Sequence, residues 1–186
     1  AARHKQNIKA MPQINLLNQL ENELDAIHKT EVLKRQLNWS ASYLQHLIES
    51  GINNGYTVYS KQIPNKYYWQ GWEWPFDVCW VDEQLDENAA LQTFGGIHLI
   101  CEMVYSTSRE NIINTFCMMN NVQANTRILI VPFNTEEEFY EMVCWCEHIA
   151  EKMKLSNSSF LIFGSGPDET PLCHYLFQDE IVSTKN

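Results

Sequence analysis

The chain is 186 residues long, 45% hydrophobic and 12% aromatic, with a formal net charge of −10. That length suits one domain with its own apolar core, and the composition excludes a disordered chain, which cannot bury enough apolar surface to offset the entropy of ordering. No apolar run approaches the roughly 20 residues of a membrane span, and residues 1–10 are polar and basic without the apolar centre of a signal peptide, so the expectation is a cytoplasmic protein without membrane contact.

The charge is unevenly placed. Through Lys66 there are eight Lys and Arg against five Asp and Glu, net +3, whereas from Tyr67 onward five face eighteen, net −13. Neutralisation of phosphates by Lys and Arg supplies most non-specific nucleic-acid affinity, so a polyanion is expected to approach only the N-terminal third. Six cysteines lie mostly inside apolar runs, where a free thiol behaves as a small hydrophobe, and they read as reduced core residues. Cys144 and Cys146, one residue apart on an expected helix, have neither zinc-pair nor CxxC spacing.

In chain order, Ile14, Leu17, Leu20, Leu24 and Ile27, then Val32, Leu37, Tyr43, Leu44, Leu47 and Ile48, recur at helical spacing and predict two helices across 14–52. Ser40 or Ser42 is the expected cap of the second, with Gly51 and Gly55 stopping it. Residues 56–63 alternate and are rich in β-formers, predicting a first strand; 74–81 and 97–105 predict a second and a third, separated by an acidic loop. Three strands without an intervening helix imply an antiparallel meander. Thr107 or Ser108 is expected to cap a helix to Val122, and 127–133 reads as a central strand buried on both faces. Thr135 should cap a helix over 136–154, and 159–163 makes a fifth strand before a tail holding a short edge strand or helix. The fold class expected is α/β, one domain with a mixed sheet: a three-strand meander, then helix, strand, helix, strand, with 1–39 as an N-terminal helical extension of a core over 40–186.

Two carboxylates interrupt apolar strands: Asp77, within the run from Trp74 to Trp80, and Glu102, within the run from Leu99 to Val104. Taking a lone carboxylate out of water costs several kcal/mol unless it is paired, protonated or metal-bound. If the second and third strands are antiparallel neighbours in suitable register, the two acids share a face and offer oxygen ligands for Mg²⁺ or Mn²⁺. The competing reading pairs each acid with a buried Arg, Lys or backbone donor, or leaves it on a solvated edge.

Over residues 40–163, the element order together with Asp77 and Glu102 resembles the PD-(D/E)XK, or restriction-endonuclease-like, nuclease superfamily. The resemblance implies that Asp77 and Glu102 bind metal and position an attacking water, with Glu49 on the second helix as an assisting acid. Val104 stands where that family carries a lysine, and Phe76 is inserted between Pro75 and Asp77. Val104 would share the face of Glu102 but offers neither charge nor donor, so a cation from elsewhere, Lys61, Lys66 or Arg109, is needed to stabilise charge on phosphate. The implied activity is phosphodiester hydrolysis of DNA or RNA; a catalytically silent binding module on the same fold is the alternative, and a homodimer is compatible with either.

Residues 67–76 hold six aromatics beside Asp77; Trp72 is a candidate base-stacking contact, although such clusters also form cores and protein interfaces. His98 shares the parity of Glu102 and is a candidate ligand or a structural histidine. The 164–167 run of Gly, Ser, Gly and Pro lacks the Lys of a phosphate loop and reads as a turn.

Overall fold

The computed structural model describes residues 13–33, 39–61, 76–81, 96–153, 159–167 and 170–176. Helices α1 (Gln13–Leu33) and α2 (Trp39–Asn53) carry Leu16, Leu17, Leu20 and Leu24, and Tyr43, Leu44, Leu47 and Ile48, at spacings that gather apolar groups on one stripe of each helix, and all of them are buried. Because α2 already begins at Trp39, Ser40 and Ser42 fall inside its first turn rather than at its cap. The helix also runs through Gly51 and ends at Asn53, and two residues on Gly55 has a φ of 84°, the left-handed conformation that glycine adopts without penalty. There the Tyr56 N–H donates to the Gly51 carbonyl and the Gly55 N–H to the Ile52 carbonyl, both at 3.0 Å, which satisfies carbonyls the helix leaves open. Gly51 is glycine for a different reason: a Cβ there would lie 2.5 Å from Trp80 Nε1 and 2.6 Å from Val58 Cγ2.

The remaining elements are β1 (Thr57–Ser60), β2 (Val78–Val81), β3 (Ile97–Met103), α3 (Arg109–Asn120), β4 (Ala124–Pro132), α4 (Glu136–Met153), β5 (Ser159–Ser165) and β6 (Leu172–Leu176). They form one six-stranded sheet in the order of the chain, β1 to β6. The β1–β2 and β2–β3 pairs are antiparallel, β3–β4 and β4–β5 are parallel, and β6 closes the far edge antiparallel to β5. Parallel neighbours need a long crossover, and α3 and α4 are those crossovers. The mixed sheet and the meander match the sequence-based expectation, and the tail supplies an edge strand rather than a helix.

Alternation along the strands sorts the core into two layers. Val58, Val78, Trp80, Leu99, Cys101, Ile128, Ile130 and Leu161 face α1 and α2, while Tyr59, Cys79, Ile100, Val104, Leu129, Val131 and Ile162 face α3 and α4. Hence α1, within the segment expected as an extension, packs against β4 and β5 in the first of these layers. A hydrogen-bonded cluster fastens it there: Tyr43 Oη lies 2.7 Å from His28 Nδ1 and 3.4 Å from Ser165 Oγ, joining α1, α2 and β5 in the buried interior.

The caps are unequal. Ser108 precedes α3 without a side-chain cap bond, whereas the Thr135 hydroxyl accepts the Glu138 N–H at 3.2 Å and Glu138 Oε2 accepts the Asn134 N–H at 2.7 Å. The C-terminal end of α3 is instead closed by Arg127 of β4, fully buried, whose Nε donates to the Met119 carbonyl at 2.8 Å and Nη1 to Ala124 at 3.2 Å, with Nη2 on Val122. Burial lowers this guanidinium to about 10, and the carbonyl end of the helix dipole offsets part of that cost. Arg127→Met keeps the apolar stem and abandons those carbonyls; it is expected to lose about 2–3 kcal/mol, read as a lower midpoint in urea unfolding.

Candidate functional site

The β1–β2–β3 register brings the expected acids together. Ser60 pairs with Val78 and Val78 with Cys101, so one rung further Lys61, Asp77 and Glu102 form a row across three strands. All three continue the parity of Tyr59, Cys79 and Ile100, so they belong to the sheet face of α3 and α4.

The row is held from two sides. The paired ladder of β2 and β3 ends at Val78 and Cys101, and the carboxylates replace its next rung. Glu102 Oε2 accepts the Asp77 N–H at 2.8 Å, and Asp77 Oδ2 accepts the Met103 N–H at 2.8 Å. On the outer side, Lys61 Nζ lies 3.3 Å from Asp77 Oδ1 and 3.1 Å from Glu102 Oε1. The two carboxylates are nearly covered, with 11% and 14% of their side chains exposed, while Lys61 keeps 39%. Desolvation, with Asp77 beside it, raises the Glu102 carboxyl above its ordinary range, and Lys61 opposes the rise. The neighbouring carboxylates raise the Lys61 ammonium in spite of its partial burial, so it is a charged lysine.

Of the cations weighed in place of Val104 that lie among the described residues, Lys61 is brought to the acids and Arg109 is not. Arg109 turns to α4, its guanidinium carbon 5.5 Å from the centroid of the Trp145 ring. Lys66 and Trp72 lie outside the described residues, and so does the aromatic segment except Phe76, which is buried in the core. Val104 itself packs among apolar groups beneath α3 and α4.

Glu49 is not brought to the row. It is exposed on α2, a helix that covers the opposite face of the sheet, and Gln45 Nε2 donates to its Oε1 at 2.5 Å. His98 is also turned away, because Trp80 pairs with Leu99 but Val81 with Ile97, a bulge that breaks the alternation of β3 at His98. Its ring stacks at 4.5 Å on Tyr56, which in turn stacks at 5.4 Å on Trp80 in the α2 layer. A period of two cannot foresee such a shift.

Backbone donors were among the partners weighed for these acids, but that they are the N–H groups of Asp77 and Met103 was not legible, since nothing in a strand sequence marks which N–H groups lose their ladder partner. Tyr105 is a further unforeseen neighbour: it stands exposed just past β3, its hydroxyl meeting the Ser40 side chain at the start of α2, within electrostatic range of Asp77, Glu102 and Lys61.

The donor set suits a hard cation. Two carboxylates each keep an oxygen directed at one point, and a cation, the ammonium of Lys61, already sits there. Among the described residues there is no group of three or more His, Cys, Asp and Glu arranged to hold a metal ion, and Asp77 and Glu102 are the carboxylates that converge here. All six cysteines are free thiols, and no described helix is long and apolar enough to cross a membrane. No family model, no curated protein and no solved structure matches this chain.

Proposed function

We propose that the chain is a nuclease-like phosphodiesterase of the PD-(D/E)XK type, with Asp77 and Glu102 as ligands of Mg²⁺ or Mn²⁺ and Lys61 as the cation that faces the phosphate. The observation that carries this reading is the row itself: a lysine just past β1, an acid just before β2 and a second acid on β3, with the ammonium within 3.3 Å of both carboxylates. Buried acids directed at one point are costly, and a folded chain keeps them where the position has a use. Lys61, just past β1, supplies the charge that Val104, just past β3, lacks, which accounts for the departure from the family's pattern.

Each group has a definable part. The Asp77 and Met103 amides fix the carboxylates, so their free oxygens meet a cation without rearranging. A divalent ion held by Asp77 and Glu102 would supply Lewis-acid charge at this point. Lys61 stabilises negative charge that develops on the phosphate oxygens, and its exposed side lets it reach a substrate. The basic N-terminal third, to which Lys61 belongs, is the part of the chain a nucleic acid can approach.

The test uses labelled single- and double-stranded DNA and RNA with Mg²⁺ or Mn²⁺. Cleavage is expected that EDTA stops and Glu102→Gln abolishes. In the same preparation, Mn²⁺ should raise the melting temperature of the wild type and not of Asp77→Ala. Absence of both cleavage and the thermal shift refutes the proposal.

One observation favours a second reading, a catalytically silent binding module on this fold. Both carboxylates already have a counter-charge and a backbone donor, which is how a structural ion pair is satisfied. Retention of an oligonucleotide without cutting, unaffected by divalent ions, would select it.

A further inference from the structure

The ammonium of Lys61 and a divalent ion compete for one position. Lys61 Nζ is 3.1 Å and 3.4 Å from the two oxygens of Glu102 and 3.3 Å from Asp77 Oδ1, so it fills the point at which the outward oxygens of both acids converge. A dication there would stand at contact distance from a like charge in a half-desolvated place, where repulsion is weakly screened. One partner has to leave, and only one is free to do so. Asp77 and Glu102 are tied to the backbone at 2.8 Å each and are nearly covered, whereas Lys61 follows the last residue of β1 and has the most exposed side chain of the three.

We propose that Lys61 is an internal counter-ion that holds the carboxylate pair in the metal-free protein and swings out when a divalent cation enters, so that one exchange both loads the site and presents a free ammonium to a phosphate. This rests on the nuclease-like reading and adds its regulation. The site is self-neutralised until a cation arrives, and the phosphate-binding charge appears only with it. The carboxylates, fixed by the Asp77 and Met103 amides, do not move in the exchange.

The experiment needs no nucleic acid. Mn²⁺ binding to the full chain is measured by calorimetry for the wild type, Lys61→Met, Asp77→Asn and Glu102→Gln. In parallel, acetylation of Lys61 by a small activated ester is followed by peptide mass spectrometry with and without saturating Mn²⁺, with Lys152 as the internal reference. Lys61→Met is expected to bind Mn²⁺ at least about tenfold more tightly, since the competing charge is gone. Mn²⁺ should also speed acetylation of Lys61 severalfold in the wild type and leave it unchanged in Asp77→Asn. If Lys61→Met does not fold, the reactivity of the wild-type lysine decides alone.

Binding that is lost in the two acid variants but no tighter in Lys61→Met, or a Lys61 reactivity indifferent to Mn²⁺, overturns the exchange and leaves the metal site standing. No Mn²⁺ binding in the wild type, or binding that survives both acid variants, overturns the nuclease-like reading together with it.

Discussion

Replacing Asp77 by Asn is expected to remove divalent-dependent phosphodiester cleavage by about a thousandfold, the upper range for one electrostatic group in an active site, while leaving the fold intact. The asparagine keeps an oxygen for the Met103 N–H, the contact that closes the last rung between β2 and β3. What it loses is the charge beside Lys61, and Glu102 remains to hold that ammonium at 3.1 Å. A partly exposed ion pair contributes about 1 kcal/mol or less, so the melting temperature should fall by no more than about 3 °C. Thermal scans and initial rates on one preparation check both halves. An unfolded variant would make Asp77 a structural acid, and an undiminished rate would remove it from the site.

Trp80→Ala is expected to have the largest effect on stability, about 3–5 kcal/mol, or a fall of roughly 10 °C in melting temperature for a chain of this length. Trp80 is fully buried between the sheet and α2, its Nε1–H donates to the Leu47 carbonyl at 3.0 Å, and the Tyr56 ring stacks on it. Gly51 leaves space for the indole, since any side chain at that position would collide with it. Alanine would leave a cavity that rigid neighbours cannot close. Trp80→Phe, which forfeits mainly the hydrogen bond, should lose about 1–2 kcal/mol. Urea unfolding of both variants separates the two contributions, and equal losses would show that the hydrogen bond, not the volume, is what matters.

Much of the fold was legible because it is local in origin. The stripes of leucine in α1 and α2, the alternation in β1 and the apolar run from Ile128 to Val131 in β4 each follow from a pattern that one segment carries by itself. The meander and the parallel crossovers followed as well, because a strand reached through a helix lies parallel to its predecessor, whereas the side-by-side order β1 to β6 came from the structure. Ends were less legible: Gly51 has the look of a stop signal, yet α2 continues past it to Asn53, and Gly51 lies where a Cβ would collide with Trp80. Within the site, Asp77 and Glu102 were conspicuous as charges in apolar runs, and Lys61 was one of three cations with nothing in the chain to rank them.

By itself the sequence determined the mixed α/β architecture and the pair of acids that need a reason to be buried, since periodicity and the cost of desolvating a carboxylate are properties of short segments. Only the tertiary structure decided which groups meet. Strand register set Lys61, Asp77 and Glu102 in one row, a single bulge turned His98 to the other face, and α2, packed behind the sheet, left Glu49 in solvent. Register and layer are fixed by the packing of the whole sheet, so no window of residues contains them.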